Sequence, residues 1–114
     1  MSTYPVKVTL TSVTPLQFSF DPDLQEIPPG AHHVKWMKGK SGKNFKFVAV
    51  FFHEPNPFAN VIVDSKNNEI NADDDNHAPE KAGHIYGVLV KVDRTYYNSR
   101  DGIHTSDGPT IRNK

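Results

Sequence analysis

Apolar residues recur at every second position in several short windows of the chain. This alternation is typical of β-strands with one buried face, because successive side chains of a strand point to opposite faces. In the first part of the chain the alternating sets are Val6, Val8 and Leu10, then Leu16, Phe18 and Phe20, then Val34 and Trp36. The pattern therefore predicts three strands, separated by turns at Pro15 and in the proline-rich stretch 22–30.

The longest apolar run covers residues 45–52 and is apolar on both faces after its start. Such a run is expected of a central strand that is covered on both sides. Shorter strands are predicted around residues 61–63, 69–71 and 95–97, and a strong one carries Tyr86, Val88, Val90 and Val92 on one face. The tail from residue 98 is polar, and Ile111 is its only late apolar anchor.

Nine prolines and seven glycines leave few windows in which a helix fits. Residues 58–78 lack both residue types, yet their apolar residues do not recur at three and four positions, and Asn and Asp dominate. The sequence therefore predicts an all-β chain of about seven short strands. Turn signals at close spacing between the strands indicate a sandwich or a barrel.

Two aromatic residues favour the sandwich, and within it an immunoglobulin-like, Greek-key arrangement. Trp36 lies on the third predicted strand, where such a core places its tryptophan. Tyr86 lies two residues before the inward-facing Val88, where the same fold has a tyrosine whose hydroxyl bonds back to the backbone. The alternative is that both are ordinary strand aromatics. We expect one immunoglobulin-like β-sandwich domain over residues 1–114, with Trp36 in its core.

Length, charge and cysteine content narrow the class of protein. A chain of 114 residues is long enough for one hydrophobic core. Its 13 basic and 13 acidic residues give zero net charge, so no overall field draws it to nucleic acid or to an anionic membrane. The absence of cysteine excludes disulfides and thiolate chemistry. No segment is apolar enough for a signal peptide or a membrane span, and we expect a cytoplasmic protein.

Five polar residues form one candidate group: Asp21, His53 and Glu54 at the ends of two predicted strands, and His32 and His33 just before the third. Whether they converge depends on how the strands that end near residues 22 and 55 are paired. If these strands are antiparallel neighbours, their ends lie at opposite edges of the sheet. If one strand separates them, the two carboxylates share an edge.

Convergence of these five residues would allow chemistry. Imidazole and carboxylate groups hold divalent metals, and paired carboxylates act as acid and base. The interpretation that we favour is structural, because a carboxylate before a proline accepts hydrogen bonds from turn amides. The five residues are therefore our candidate binding site, and we assign no catalytic residue.

Two other polar groups lack the spacing of a metal site. The first, Asn71, Asp73, Asp74, Asp75 and Asn76, has neither the glycine nor the distal glutamate of a calcium-binding loop. The second, His77, His84 and His104, lacks the spacing of a zinc motif. We interpret both groups as solvated loop residues, and we expect no bound metal and no cofactor.

A basic group interleaves with aromatic residues in the middle of the chain. It consists of Lys35, Lys38, Lys40, Lys43 and Lys46, with Trp36, Phe45 and Phe47 between them. The pattern resembles the RNA-binding face of a cold-shock domain, in which exposed aromatics stack on bases and lysines meet phosphates. It departs from that face because the Gly-aromatic-Gly-aromatic order is missing. A strand with one solvated face gives the same alternation, so we consider nucleic acid a disfavoured partner.

The endings of two predicted strands carry a resemblance to a known family. Residues 18–22, Phe-Ser-Phe-Asp-Pro, and residues 52–55, Phe-His-Glu-Pro, each follow an apolar strand. They resemble the pair of dipeptides that names the DP-EP family of small bacterial proteins. The resemblance implies a compact β-sandwich of bacterial origin, in a family whose biochemical role is not established and which supplies no catalytic residues.

The sequence hypothesis is a non-enzymatic binding or assembly module whose contact surface is formed by loops at one end of a β-sandwich. Its expected partner is another protein or a second copy of the chain, and not a membrane. One alternative is a small metal-assisted enzyme that uses Asp21, His53 and Glu54. Another is a single-strand nucleic-acid binder that uses an exposed Trp36 and the adjacent lysines. The sequence has no serine-hydrolase elbow, phosphate-binding loop or dinucleotide fingerprint.

Overall fold

The computed structural model describes residues 2–52, 59–74, 84–102 and 109–113. Within these ranges the strands are β1 (Thr3–Val13), β2 (Leu16–Asp21), β3 (Leu24–Ile27), β4 (His32–Lys38), β5 (Lys46–Phe52), β6 (Ala59–Asp64), β7 (Glu69–Asp74), β8 (His84–Val92), β9 (Thr95–Asn98) and β10 (Thr110–Asn113). A short 3-10 turn over Ser99–Asp101 follows β9. The predicted all-β class is confirmed.

The strands form two mixed sheets. Sheet A has the strand order β2-β1-β4-β7-β6, and sheet B has the order β3-β10-β8-β5, with β9 also paired to β8. β1 pairs with β4 in parallel and β10 pairs with β3 in parallel, whereas the other pairs are antiparallel. Each parallel pair joins strands that are not consecutive in the chain, so hairpins alone do not build either sheet.

One hydrophobic core lies between the inner faces of the two sheets. Its buried members are Val6, Val8, Leu10, Phe18, Ile27, Val34, Trp36, Phe45, Phe47, Ile70, Ala72, Tyr86, Val88, Val90 and Ile111. The alternating sets predicted for β1 and β4 are among these residues, as are Tyr86, Val88 and Val90 of the set predicted for β8, whereas Val92 is partly buried. Trp36 is 0% exposed, so its predicted place in the core is confirmed.

Two of the strands, β3 and β10, do not follow from the sequence pattern, which predicts a loop and a polar tail at these positions. Each is four residues long and contributes one fully buried apolar residue to the core, Ile27 or Ile111. Alternation is not visible in so short a segment. The two strands are defined by pairing with each other in parallel and by the pairing of β10 with β8.

The position of β5 also differs from the prediction of a central strand. In the part of the chain that the structure describes, β5 is the last strand of sheet B and pairs with β8. A bulge between Phe47 and Ala49 shifts the register, so that Phe51 lies directly opposite Gly87 on the outer face. A Cβ on Gly87 would lie only 2.5 Å from Cζ of Phe51. An apolar residue, Phe51, therefore occupies the outer face of β5 because its ring covers a glycine.

Candidate functional site

Consecutive histidines at the start of β4 point to opposite faces of sheet A. His33 lies on the outer face directly opposite Asp73 of β7, and its Nδ1 is 2.5 Å from Asp73 Oδ1. The other oxygen, Asp73 Oδ2, accepts a hydrogen bond of 2.8 Å from Asn60 Nδ2 on β6. Because Nδ1 of His33 faces a carboxylate, it carries a proton, and Nε2 remains the available nitrogen of the ring.

His32 lies on the inner side at the end of sheet A, where it packs edge to face against Tyr4 with ring centroids 5.3 Å apart. Its Nδ1 accepts a hydrogen bond of 3.4 Å from the backbone N–H of Ser2. Its Nε2 therefore carries the proton and lies 3.3 Å from the carbonyl oxygen of Pro29. His32 joins the start of β1 to the loop between β3 and β4, which is a structural role.

Asp21 lies apart from both histidines. At the end of β2 it is opposite Lys7 of β1, which is itself opposite Met37 of β4. His33 is four positions back along β4, which is about 13 Å along the strand and about 10 Å across two strand spacings from Asp21. His53 and Glu54, the other two residues of the candidate binding site, lie outside the described residues.

The acidic segment and His84 are not the solvated loop residues that the sequence predicts. Asp73 and Asp74 lie in β7, and because the strand alternates, Asp73 faces outward while Asp74 is 1% exposed. His84 begins β8 on the inner face and is 8% exposed. The described residues contain no group of three His, Cys, Asp or Glu side chains placed to hold a metal ion. The predicted loop residues Asp75, Asn76, His77 and His104 lie outside the described ranges.

The aromatic residues of the central basic group are not available for stacking on bases. Trp36 is 0% exposed, and Phe45 and Phe47 are buried as well. They face inward, whereas Lys35 of β4 and Lys46 of β5 lie at neighbouring outer positions. Lys35 on that outer side lies 3.6 Å from Glu69. The nucleic-acid interface built on Trp36 is therefore wrong.

A different group of basic and aromatic side chains lies on the outer face of sheet B. Lys46 of β5 is directly opposite Lys91 of β8, and Lys91 is directly opposite Tyr96 of β9. Nζ of Lys91 lies 5.5 Å from the centroid of the Tyr96 ring. Tyr96 is 57% exposed, which is unusual for a large aromatic residue. Two lysines and one open aromatic ring thus form a row across three strands.

This row borders a groove of about 550 Å³, called the lysine groove below. Its lining residues are Asn44, Phe45, Lys46, Lys91, Val92 and Asp93. Asp93 has a left-handed backbone with φ of 54° in the two-residue turn between β8 and β9, and it supplies the one negative charge of the lining. The lining therefore carries a net positive charge.

The sequence pattern does not reveal the lysine groove. Lys46 belongs to the basic group recognised from the sequence, but there it is associated with Trp36. Lys91 and Tyr96 lie 45 or more residues further along the chain, and only the pairing of β5, β8 and β9 brings them beside Lys46. The alternation of β8 predicts an outward Lys91, and that is the only available signal.

The sequence matches no protein-family model and no curated protein. The function is therefore inferred from the geometry described above. A search of the described residues for a helix long and apolar enough to cross a membrane finds none.

Proposed function

We propose that the chain is a non-enzymatic binding module, built on an immunoglobulin-like β-sandwich, that holds an anionic ligand in the lysine groove. The observation that carries this proposal is the direct opposition of Lys46 and Lys91 on neighbouring strands. It places two positive charges beside a concave surface at one end of sheet B.

Opposed lysines are unfavourable in the free protein. Like charges directly opposite each other on neighbouring strands destabilise a sheet, because their side chains leave the backbone only about 5 Å apart. An anion between the two ammonium groups removes this repulsion and gains two charge-assisted hydrogen bonds. Asp93 forms one wall of the same groove. Its carboxylate repels a ligand that carries negative charge on the side facing this wall.

The sandwich rests on the contacts between the two sheets. Trp36 of sheet A and Tyr86 of sheet B meet in the shared core, and Tyr86 precedes the equally buried Val88 by two residues. These are the positions that favour an immunoglobulin-like fold in the sequence. The strand endings at residues 18–22 and 52–55 support a place in the DP-EP family and a bacterial origin. The proposed cytoplasmic location rests on the absence of cysteine and of a long apolar segment in the sequence. The parallel pairs of β1 with β4 and of β3 with β10 depart from the antiparallel sheets of an immunoglobulin domain, so the proposed fold is a variant of that form.

The metal-assisted enzyme that uses Asp21, His53 and Glu54 has less support. Asp21 is separated from His33 by two strand spacings and four residues, as described above. His33 itself is engaged by Asp73. A binding module requires no such convergence, and it requires only the groove.

The proposal is tested by titrating ¹⁵N-labelled protein with inorganic phosphate and following backbone amide shifts. We expect the largest shifts at Lys46, Lys91 and Asp93, with a dissociation constant of roughly millimolar order. The double substitution Lys46→Gln with Lys91→Gln should weaken binding at least tenfold. Lys35→Gln, which removes a lysine that is paired with Glu69 on the other sheet, is the matched control and should leave binding unchanged. Equal binding by the double variant contradicts the proposal.

A further inference from the structure

We infer that the ligand of the lysine groove is a nucleotide unit, with its phosphate between Lys46 and Lys91 and its base stacked on the Tyr96 ring. This inference rests on the proposed function and adds to it the chemical class of the ligand. It follows from the presence of an exposed aromatic ring in the same row as the two lysines.

The order of the three side chains fits one nucleotide. Tyr96, Lys91 and Lys46 lie on neighbouring strands, and strands are about 4.8 Å apart. The space between the two ammonium groups is therefore a little more than one strand spacing from the Tyr96 ring. A 5′ phosphate and the base of the same nucleotide are separated by one sugar, which spans a gap of this size.

The Tyr96 ring lies beside this phosphate position. Nζ of Lys91 lies over the ring at 5.5 Å from the centroid, and more than half of the residue is exposed to solvent. When the Lys91 ammonium group turns from the ring to the phosphate, this face of the ring is open to the base, which stacks there as bases do in proteins that bind single strands. The phosphate and the base then lie on the same side of the ring, where one sugar joins them.

The groove offers little to distinguish one base from another. Stacking on a tyrosine ring tolerates every base, because each has a π-face. Among the lining residues, Asn44 is the uncharged polar side chain, and because it precedes β5, on the other side of β8 from Tyr96, it is placed beside the phosphate and not beside the base. We therefore expect weak preference among bases, and purines should bind somewhat more tightly because they stack over a larger area. The same unit is supplied by a free mononucleotide or by a single strand.

The decisive comparison is between adenosine 5′-monophosphate and ribose 5-phosphate, which differ by the base alone. Amide-shift titrations of the full chain should give at least fivefold tighter binding of the nucleotide. Tyr96→Leu should reduce this ratio to about one, whereas Tyr96→Phe should preserve it because the ring is retained. Lys46→Gln with Lys91→Gln should weaken both ligands by the same factor. Amide spectra of each free variant establish that it is folded. We expect every variant to fold, because the substituted side chains lie on the outer face of sheet B and not in the core.

The outcomes separate the two proposals. Equal binding of nucleotide and ribose 5-phosphate overturns the nucleotide inference and leaves the anion-binding function standing. Binding of neither ligand, and of no inorganic phosphate, overturns both. A nucleotide preference that survives Tyr96→Leu also overturns the inference, because the base would then be recognised elsewhere.

A third titration, with an eight-nucleotide single-stranded DNA, identifies the source of the unit. A single strand whose phosphates meet both lysines should bind more tightly than the mononucleotide, and the logarithm of its affinity should fall against the logarithm of salt concentration with a slope of about −1.4. Affinity equal to that of the mononucleotide assigns the groove to free nucleotides. In either case Tyr96→Leu and the double lysine substitution should each weaken binding of the DNA and of the mononucleotide. If one of these variants binds them as tightly as the unsubstituted protein, the inference is contradicted.

Discussion

The rings of Trp36 and Tyr86 meet edge to face across the core, with centroids 5.5 Å apart and planes inclined by 72°. Trp36 belongs to β4 of sheet A and Tyr86 to β8 of sheet B, so this contact joins the inner faces of the two sheets. Phe20 and Phe52 also lie against Tyr86, with centroid distances of 5.8 and 5.7 Å. The centre of the core is thus an aromatic cluster, and its tryptophan has no access to solvent.

Replacing Trp36 with alanine should destabilise the protein strongly. The substitution removes the largest fully buried side chain and leaves a cavity between the sheets, which costs about 3 to 5 kcal/mol. That is a large fraction of the stability of a domain of this size. Urea unfolding followed by far-UV circular dichroism measures the effect.

The control for this prediction is Tyr96→Ala, which removes an aromatic ring that is 57% exposed. Because its ring makes little contact with the core, we expect a change of no more than about 0.5 kcal/mol. If the denaturation midpoint of Trp36→Ala were the same as that of the control, Trp36 would contribute nothing to the core.

The burial of the Tyr86 hydroxyl predicts a loss of stability at high pH. Burial raises the pKa of Tyr86 well above its ordinary value of 10.0, and an interaction with Trp36 offsets part of this effect. Above pH 10 the unfolded chain loses this proton while the folded protein keeps it, so ionisation favours unfolding. The stabilising contribution is complete below pH 10 and decreases by up to about 1.4 kcal/mol for each further pH unit.

Urea unfolding tests this prediction. It is measured at several pH values between about 9 and about 11.5, a range that spans the ordinary tyrosine pKa. Tyr86→Phe removes the titrating hydroxyl and keeps the ring, so its stability should decline less steeply than that of the unsubstituted protein. The other tyrosines are present in both proteins and their contributions cancel. Parallel curves would show that Tyr86 ionises with equal ease in the folded and unfolded states.

The sequence predicts the fold well where strands are long and one-sided. In β1, β4 and β8 the buried apolar side chains recur at every second position, and the inward positions of Val6, Trp36 and Val88 are evident from this alternation. The pattern gives no such information for β3 and β10, since each contributes a single buried residue. The pattern also predicts a central position for β5, which lies at the end of sheet B. Phe51 makes the outer face look buried because its ring covers Gly87, and this contact between residues 36 positions apart is not visible in a local pattern.

The candidate site is predicted less well, because it depends on strand order. The sequence identifies His33 and Asp73 as polar residues, but their contact requires that β4 and β7 be neighbours in that register. In the same way, no local pattern places Lys46 beside Lys91. Local alternation determines which face a residue occupies, whereas long-range pairing determines which residues it meets there.

Asn68 connects the hairpin between β6 and β7 of sheet A to strand β5 of sheet B. Its Oδ1 accepts a hydrogen bond of 2.8 Å from the N–H of Phe47, and its Nδ2 donates one of 2.7 Å to the carbonyl oxygen of Phe45. The side-chain amide thus pairs with the backbone on both sides of Lys46, at the start of β5, as a neighbouring strand would. Asn68 also has a left-handed backbone, with φ of 52°, which asparagine and glycine tolerate better than other residues.

Substitutions at Asn68 should separate these two contributions. Asn68→Gly keeps the backbone conformation and removes both hydrogen bonds, with an expected loss of about 1 to 3 kcal/mol. Asn68→Ala adds the strain of a left-handed residue and should lose about 1 kcal/mol more. Chemical denaturation of the three proteins measures both steps.

Asp93→Gly is the matched control for Asn68→Gly. Asp93 also has a left-handed backbone, with φ of 54°, but it lies in an exposed turn. Glycine should be tolerated there without loss, because this backbone conformation carries no steric penalty for it. A loss at Asn68→Gly no greater than that at Asp93→Gly would mean that the two hydrogen bonds to β5 do not stabilise the fold.

The last prediction concerns the close approach of Phe51 to Gly87 on the outer face of sheet B. A Cβ added at Gly87 would lie 2.5 Å from Cζ of Phe51 and 2.8 Å from Cγ of Arg100, both of which are side-chain atoms. Gly87→Ala should therefore displace the phenylalanine ring, and overpacking of this kind costs about 1 to 3 kcal/mol. In a Phe51→Ala background the ring is absent, so the same glycine substitution should cost at least about 0.5 kcal/mol less. The double-mutant cycle measured by urea unfolding gives this coupling directly. Additive losses would show that Phe51 does not lie over Gly87, and the apolar outer face of β5 would then need a different explanation.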